Sequence, residues 1–257
     1  MDLFHTMLTV DTSLLIAAGA VFLVAGLVKG VVGLGLPTVA MALLALVMTP
    51  AQAAALLIIP SFVTNVWQCR PMATLAALFR RLAPMQLGVV VGTLGGSWML
   101  GAPAGPWAGL ALGLALVAYA GWGLMGPKLN VRRDQEAWAG PVVGVVTGFI
   151  TAATGVFVIP AVPYLQALGL DRDRLVQAMG LSFTVSTVAL AIGLSFDGSF
   201  SPSGAGTSLL MLAPAIAGMM VGQAIRERLS PALFRTCMMV GLAGLGLQMI
   251  VRYALTS

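Results

Sequence analysis

Long apolar runs separated by short polar breaks make up nearly all of this sequence, and the charged residues fall almost entirely in the breaks. A run of about 20 apolar residues is what a helix needs to cross the hydrocarbon core of a bilayer. The runs are continuously apolar and lack the alternation of membrane strands, so helices are expected and a barrel is not. The chain is 8% charged and 59% hydrophobic, against roughly 25% charged residues in a soluble domain. A water-facing surface cannot be built from so few charges, and an all-α polytopic membrane protein is the expected fold class.

Composition also removes function classes. The net charge of +5 comes from arginines placed singly or in pairs between apolar runs, where they set topology and do not form a nucleic-acid surface. Cys69 and Cys237 lack any CxxC or Cys/His spacing, so neither a disulfide, a metal nor a cofactor is assigned. An intramembrane hydrolase would need a Ser beside a His or Lys base. The only His is His5, in the N-terminal tail, and Lys29 has no adjacent Ser, so an enzyme is not expected. Residues 1–12 carry Asp2 and Asp11 but no basic residue. They lack the basic start of a cleavable signal peptide, and 13–35 reads as a retained segment.

Apolar runs fall near 13–35, 36–48, 51–69, 82–101 and 106–126, then near 138–153, 156–169, 174–195, 207–225 and 231–254. These are five segments on either side of a polar linker, giving a first repeat at 1–126, a cytoplasmic linker at 127–137 and a second repeat at 138–257. Leu82, Ala83, Pro84, Gly88, Val91 and Gly92 recur as Leu212, Ala213, Pro214, Gly218, Val221 and Gly222, all at one offset. Gly26, Gly33 and Pro37 match Gly148, Gly155 and Pro160, and Ser61-Phe62 matches Ser182-Phe183.

An odd number of spans per repeat would insert the second copy upside down, and the charges agree. The link after the third segment carries Arg70, Arg80 and Arg81, whereas its counterpart at 195–206 carries only Asp197. The link at 101–105 is neutral, whereas its counterpart holds Arg226, Arg228 and Arg235. By the positive-inside rule the halves have opposite orientation, with 70–81, 127–137 and 226–235 cytoplasmic and the N-terminus periplasmic. Arg252 fits this topology poorly. Inverted repeats are a recurring plan of secondary transporters, whose substrate site lies where the repeats meet.

Each repeat opens on an interrupted segment, Gly26 to Pro37 and Gly148 to Pro160. Glycine admits unusual backbone and close approach, and proline removes a donor, so each stretch can unwind. Corresponding Gly/Pro-interrupted segments point to a transporter site, and a pair of short helices is expected at each, facing near the midplane with free N–H groups for an anion. The same glycines could instead serve close helix packing. Lys29 is the one ionisable residue well inside an apolar run, and the eight acids fall in termini, loops or segment ends. A cation without an internal counter-ion points to the transported anion as its partner; snorkelling to the interface is the alternative.

Ser61, Thr64, Asn65 and Gln68 share one helical face, as do Ser182, Ser186 and Thr187. They could bind an oxyanion or simply join helices. The candidate substrate-binding residues are thus Lys29, Gly30, Gly33, Gly35, Asn65, Gln68, Thr151, Thr154, Gly155, Ser182 and Ser186. With no carboxylate or His inside the membrane, export is expected to need no titrating protein carboxylate.

Taken in order, Gly26, Lys29, Gly30, Gly33, Gly35 and Pro37, then Gly148, Gly155 and Pro160, then Ala178-Met-Gly-Leu-Ser182 resemble the TauE/SafE sulfite-exporter family, also called the toluene sulfonate uptake permeases. The resemblance spans nearly the whole chain. It implies a transporter of small organosulfur anions such as sulfite or sulfonates in the bacterial cytoplasmic membrane. Apart from the resemblance, the partners expected are that anion and the lipid bilayer, with a homodimer left open and no nucleic acid. The sequence departs from the family at Thr151-Ala-Ala-Thr-Gly155, where a run of glycines is expected. Exporters with ten continuous helices in a five-plus-five inverted fold are the alternative, with another small anion or a neutral metabolite as substrate.

Overall fold

A computed structural model describes residues 12–256 apart from 102, 104, 105, 128, 197, 227 and 229. Among the described residues there are helices and no strands. The first half contains α1 (Thr12–Val32), α2 (Leu36–Leu44), α3 (Pro50–Gln68), α4 (Met72–Leu100) and α5 (Pro106–Met125). The second contains α6 (Arg133–Thr154), α7 (Ala161–Ala167), α8 (Arg172–Phe196), α9 (Pro202–Leu210), α10 (Leu212–Ile225) and α11 (Pro231–Thr256). Eight helical stretches, with α9 and α10 counted as one from Gly204, are long and apolar enough to cross a membrane.

Several boundaries differ from the sequence reading. Arg80 and Arg81, expected in a link, lie within α4, which starts ten residues before Leu82. The linker ends at Arg132 because α6 already begins at Arg133, with Gln135 closing a capping interaction onto the Arg132 backbone N–H. Polar helix ends of this kind carry no hydropathy signal, since their residues lie beyond the hydrocarbon. Each interrupted segment is a full-length helix followed by a short one: 21 then 9 residues, and 22 then 7. Two short helices at each break were expected, and the observed long–short pairs replace them. They also differ from ten continuous helices.

Local chemistry explains the element ends. Gly33 and Gly35 sit at φ 84° and 105°, and Gly155 at φ 71°, a region in which L side chains clash, so α1 and α6 stop there. At the end of α6 the Thr154 hydroxyl accepts from Val156 N–H (3.1 Å). Thr49 and Gln52 form a capping box before α3, with Pro50 in its first turn. Pro60 inside α3 cannot donate to the Leu56 carbonyl four residues back. The Ser208 hydroxyl of α9 donates to that carbonyl (2.8 Å) and accepts from Ile59 N–H (3.1 Å), so the gap is filled from the other half.

The two halves interlock through exchanged partners: α4 packs along α6, and α10 along α1. Both crossings are built from glycine pairs four residues apart. A β-carbon added to Gly144 or Gly148 would lie 2.1 or 2.3 Å from the carbonyl oxygen of Met85 or Val89. One added to Gly26 or Gly30 would lie 2.1 or 2.3 Å from that of Ala215 or Met219. Backbones approach this closely only where side chains are missing, the small-residue packing of membrane helices. In these contacts Gly26 corresponds to Gly144, one helical turn away from its sequence match Gly148. The centre of the bundle is α3 against α8, both mostly buried, whereas α11 is mostly exposed. α5 and α11 pair at the side.

One end of the bundle gathers the positive charge. Gln177 of α8 donates to the carbonyls of Cys69 (2.8 Å) and Pro71 (2.7 Å), and Val131 N–H donates to Ala167 O (2.9 Å), tying the α3–α4 turn, the linker and the α7–α8 link together. Arg81 joins them, paired with Glu136 at 2.6 Å and donating to Leu168 O at 3.2 Å. Arg70, Arg80, Arg81, Arg132, Arg133, Arg172, Arg174, Arg226, Arg228 and Arg235 lie at this end, and Arg252 at the other.

Candidate functional site

The last turn of α1 carries Lys29 into the middle of the protein, where it is 2% exposed and the only buried acidic or basic side chain among the described residues. Its ammonium donates to Thr64 Oγ1 at 3.0 Å and to Asn65 Oδ1, both on α3. Thr64 Oγ1 in turn donates to the Pro60 carbonyl at 2.7 Å. Snorkelling is therefore excluded in this arrangement, since the side chain is held inward by two neutral oxygens.

No described carboxylate balances this charge. Asp134 pairs with Arg132, Glu136 with Arg81 and Asp171 with Arg174, all at the arginine-rich end, and Asp173 lies in the first turn of α8. Asp2, His5, Asp11, Asp197 and Glu227 lie outside the described residues. On the α3 face that holds the ammonium, polar capacity is left over: Asn65 Nδ2 and, one turn earlier, Ser61 Oγ are buried and make no hydrogen bond. Buried polar atoms without partners are rare in native proteins and call for an explanation. A site with a buried cation and unspent donors, and with no negative charge, has the chemistry of an oxyanion receptor.

One turn further along α3, Gln68 Nε2 donates to the Gly33 carbonyl at 2.5 Å, closing the α1–α2 break against α3. Gly180 brings α8 against the same turn; a β-carbon there would lie 2.8 Å from Gln68 Cβ and 2.9 Å from Asn65 O. Lys29, Gly33, Asn65 and Gln68 are thus brought together, with Thr64 and Ser61. Gly30 is not among them: its open face meets α10, so its absent side chain serves helix packing. Gly35 turns toward Val28 and Met238 and Gly155 toward Met41, and both contribute left-handed backbone at the breaks. Part of the backbone at the breaks is bonded locally: Gly33 N–H bonds to Lys29 O, Val39 N–H to Gly35 O and Val156 N–H to Thr154 Oγ1.

Three of the second-half candidates have hydrogen bonds within the protein. Thr151 donates to Thr147 O (2.7 Å) and Thr154 to Ile150 O (2.6 Å), back-bonds within α6. Ser182 accepts from Gln86 Nε2 of α4 at 2.7 Å, in a buried contact. Ser186 is buried on α8 one turn away. Gln86 was not singled out from the sequence. A lone amide in an apolar segment was the available signal.

Two cavities open at opposite ends of the α5–α11 pair. One, of about 290 Å³, is lined at the arginine-rich end by Val31, Val32 and Leu34 of the α1 break, by α5, α7 and α8, and by Arg172, Arg226 and Arg235. Gly33 is 3.9 Å, measured from an added β-carbon, from its wall residue Val176. The other, of about 650 Å³, is lined by residues 45–50, Gln52, Gln248, Arg252 and Tyr253. Among the described residues no cluster of His, Cys, Asp or Glu could hold a metal ion.

No curated protein and no solved structure matches the chain. The family described as sulfite exporter TauE/SafE matches residues 18–249, which include both interrupted pairs, both glycine crossings and Lys29 with its partners. With nearly its whole length covered by that match, and a membrane-spanning helical architecture to go with it, the chain belongs to the sulfite exporter TauE/SafE family.

Proposed function

We propose that the protein is a secondary transporter that exports sulfite or a related organosulfur anion across the bacterial inner membrane, binding it at Lys29. The observation that carries this reading is the buried ammonium held only by neutral oxygens, beside the unspent donors Asn65 Nδ2 and Ser61 Oγ. A charge inside the hydrocarbon costs about 3 kcal/mol or more. An oxyanion arriving beside it supplies the missing counter-charge and takes up the idle donors. Membership of a family described as sulfite exporters supports the substrate class.

Direction and topology follow from charge. The end that holds ten arginines is assigned to the cytoplasm by the positive-inside rule, which leaves the start of α1 on the periplasmic side. The exchanged pairings α4–α6 and α10–α1, with their matching glycine crossings, support two repeats of opposite orientation, 1–126 and 138–257. The Gly33–Gly35 break, latched by Gln68, separates Lys29 from the cytoplasmic cavity and is the natural gate. An inside-negative potential favours anion exit by about 2.3 kcal/mol per charge per 100 mV, so export requires no protein carboxylate.

The test is sulfite efflux from proteoliposomes under an imposed potential. Wild-type protein should release sulfite faster when the interior is negative, and Lys29→Met and Asn65→Ala should reduce the rate at least tenfold. Unchanged rates in both variants would remove the Lys29 site, and absence of sulfite flux in wild type would remove the substrate.

A further inference from the structure

The cavity at the arginine-rich end has its own chemistry. Arg172 enters it from the first turn of α8, Arg226 from the end of α10 and Arg235 from α11. Three arginines from three elements, Arg172 and Arg235 exposed and Arg226 half-buried, line one space of about 290 Å³, and no acidic residue is among the described lining residues. The nearby acid Asp171 is committed to Arg174. Arg235 is anchored by donation to the Gly123 carbonyl at 3.3 Å, on the cavity wall. Like charges around one cavity repel, and the arrangement is relieved by an anion, which guanidinium groups bind with paired N–H donors.

The rest of the lining is apolar and aromatic: Tyr119, Trp122, Leu34, Leu175 and Met179, with Gln166 as a polar contact. Inorganic sulfite needs no such wall. The volume lies at the lower end of pockets for small organic ligands, and aromatic rings beside fixed cations suit a ligand with a flat apolar body and one anionic end.

We propose that this cavity is a second anion-binding station, separate from Lys29, for an organic sulfonate or carboxylate whose head meets Arg172, Arg226 and Arg235 and whose apolar body lies against Tyr119 and Trp122. It adds a station to the transport reading without depending on Lys29 being the central site. Station and break adjoin through Val31, Val32 and Leu34, so an anion held here stands at the Gly33 gate.

Calorimetric titration of the purified full-length protein in lipid nanodiscs tests it, with benzenesulfonate, benzoate, benzyl alcohol and sulfite as probes. Benzenesulfonate and benzoate should bind and benzyl alcohol should not. The triple variant Arg172→Gln/Arg226→Gln/Arg235→Gln should weaken both aromatic anions at least tenfold while leaving sulfite within twofold. Gln166→Trp, which fills the cavity and keeps all three arginines, should have the same selective effect and guards against misfolding of the triple variant. Lys29→Met should weaken sulfite and leave benzenesulfonate within twofold. The proposal is overturned if wild-type protein does not bind the aromatic anions, if benzyl alcohol binds equally well, or if Gln166→Trp and the triple variant both bind them as wild type does. Sulfite binding unchanged in Lys29→Met would instead defeat the central-site reading and leave the cavity result standing.

Discussion

Replacing Lys29 with Met separates what the ammonium does for folding from what it does for an anion. Met keeps most of the unbranched stem and removes the charge. Losing that charge relieves about 3 kcal/mol of burial cost. Against this, Asn65 Oδ1 and the accepting side of Thr64 Oγ1 lose their donor, and a buried acceptor without a partner costs about 1–3 kcal/mol. Two such acceptors cost about 2–6 kcal/mol, so the effects partly cancel and stability stays within about 3 kcal/mol of wild type, a change of some 6–12 °C at most by the usual scaling for a domain of this size. The ligand effect is different. Sulfite at one hundred times its dissociation constant should stabilise wild-type protein by about 2.7 kcal/mol, roughly 5–10 °C on the same scaling. Thermal unfolding of detergent-purified protein, with and without sulfite, reads both quantities together. Lys29→Met should melt within that range of the wild-type temperature and show no sulfite-dependent shift. A full shift in the variant refutes the assignment, and unfolding of the variant at room temperature refutes the cancellation.

Three further outcomes are expected. Gly218→Ala places a β-carbon 2.0 Å from Leu23 O and Gly92→Ala one 2.2 Å from Val145 O, whereas at Gly95 nothing lies within 4 Å. The first two should therefore lose about 2 kcal/mol or more through overpacking while Gly95→Ala gains up to about 1 kcal/mol, measured as melting temperatures. Arg81→Ala and Glu136→Gln each break the 2.6 Å pair that joins α4 to α6; both groups are partly exposed, so a double-mutant cycle should give a coupling of about 1–2 kcal/mol. In a Cys237→Ala background, thiols introduced by Met72→Cys and Ser230→Cys should react with an impermeant maleimide from the same side of the membrane and Ser195→Cys from the opposite side. Labelling of all three from one side would overturn the inverted topology.

Much of this protein was legible residue by residue. The apolar runs, the two interruptions, the charge distribution and Lys29 as an isolated internal cation could all be read directly. The double role of the glycines could not. Gly33, Gly35 and Gly155 bend the backbone through positive φ, whereas Gly26, Gly30, Gly144 and Gly148 are packing surfaces, and one letter serves both. The breaks pair Gly33 with Gly155, in the register that matches Gly26 to Gly148, whereas the crossings pair Gly26 with Gly144. Thr151, Thr154 and Ser182 were equally ambiguous, since a hydroxyl in an apolar helix reads alike whether it bonds its own backbone, a neighbouring Gln86 or a ligand.

The membrane-spanning helical character was set by the sequence alone, because the transfer of a 20-residue apolar run into lipid is a sum over that run and needs no distant partner. Helix stops at Gly33 and Gly155 are local for the same reason, being a matter of backbone sterics. The surroundings of Lys29 were decided only by tertiary structure: its acceptors lie 35 and 36 residues away on another helix. The three arginines of the cavity likewise converge from separate elements. Which polar groups meet, and which stay unpaired, depends on how helices cross, and in this chain the crossings are set by pairs of glycines from opposite halves.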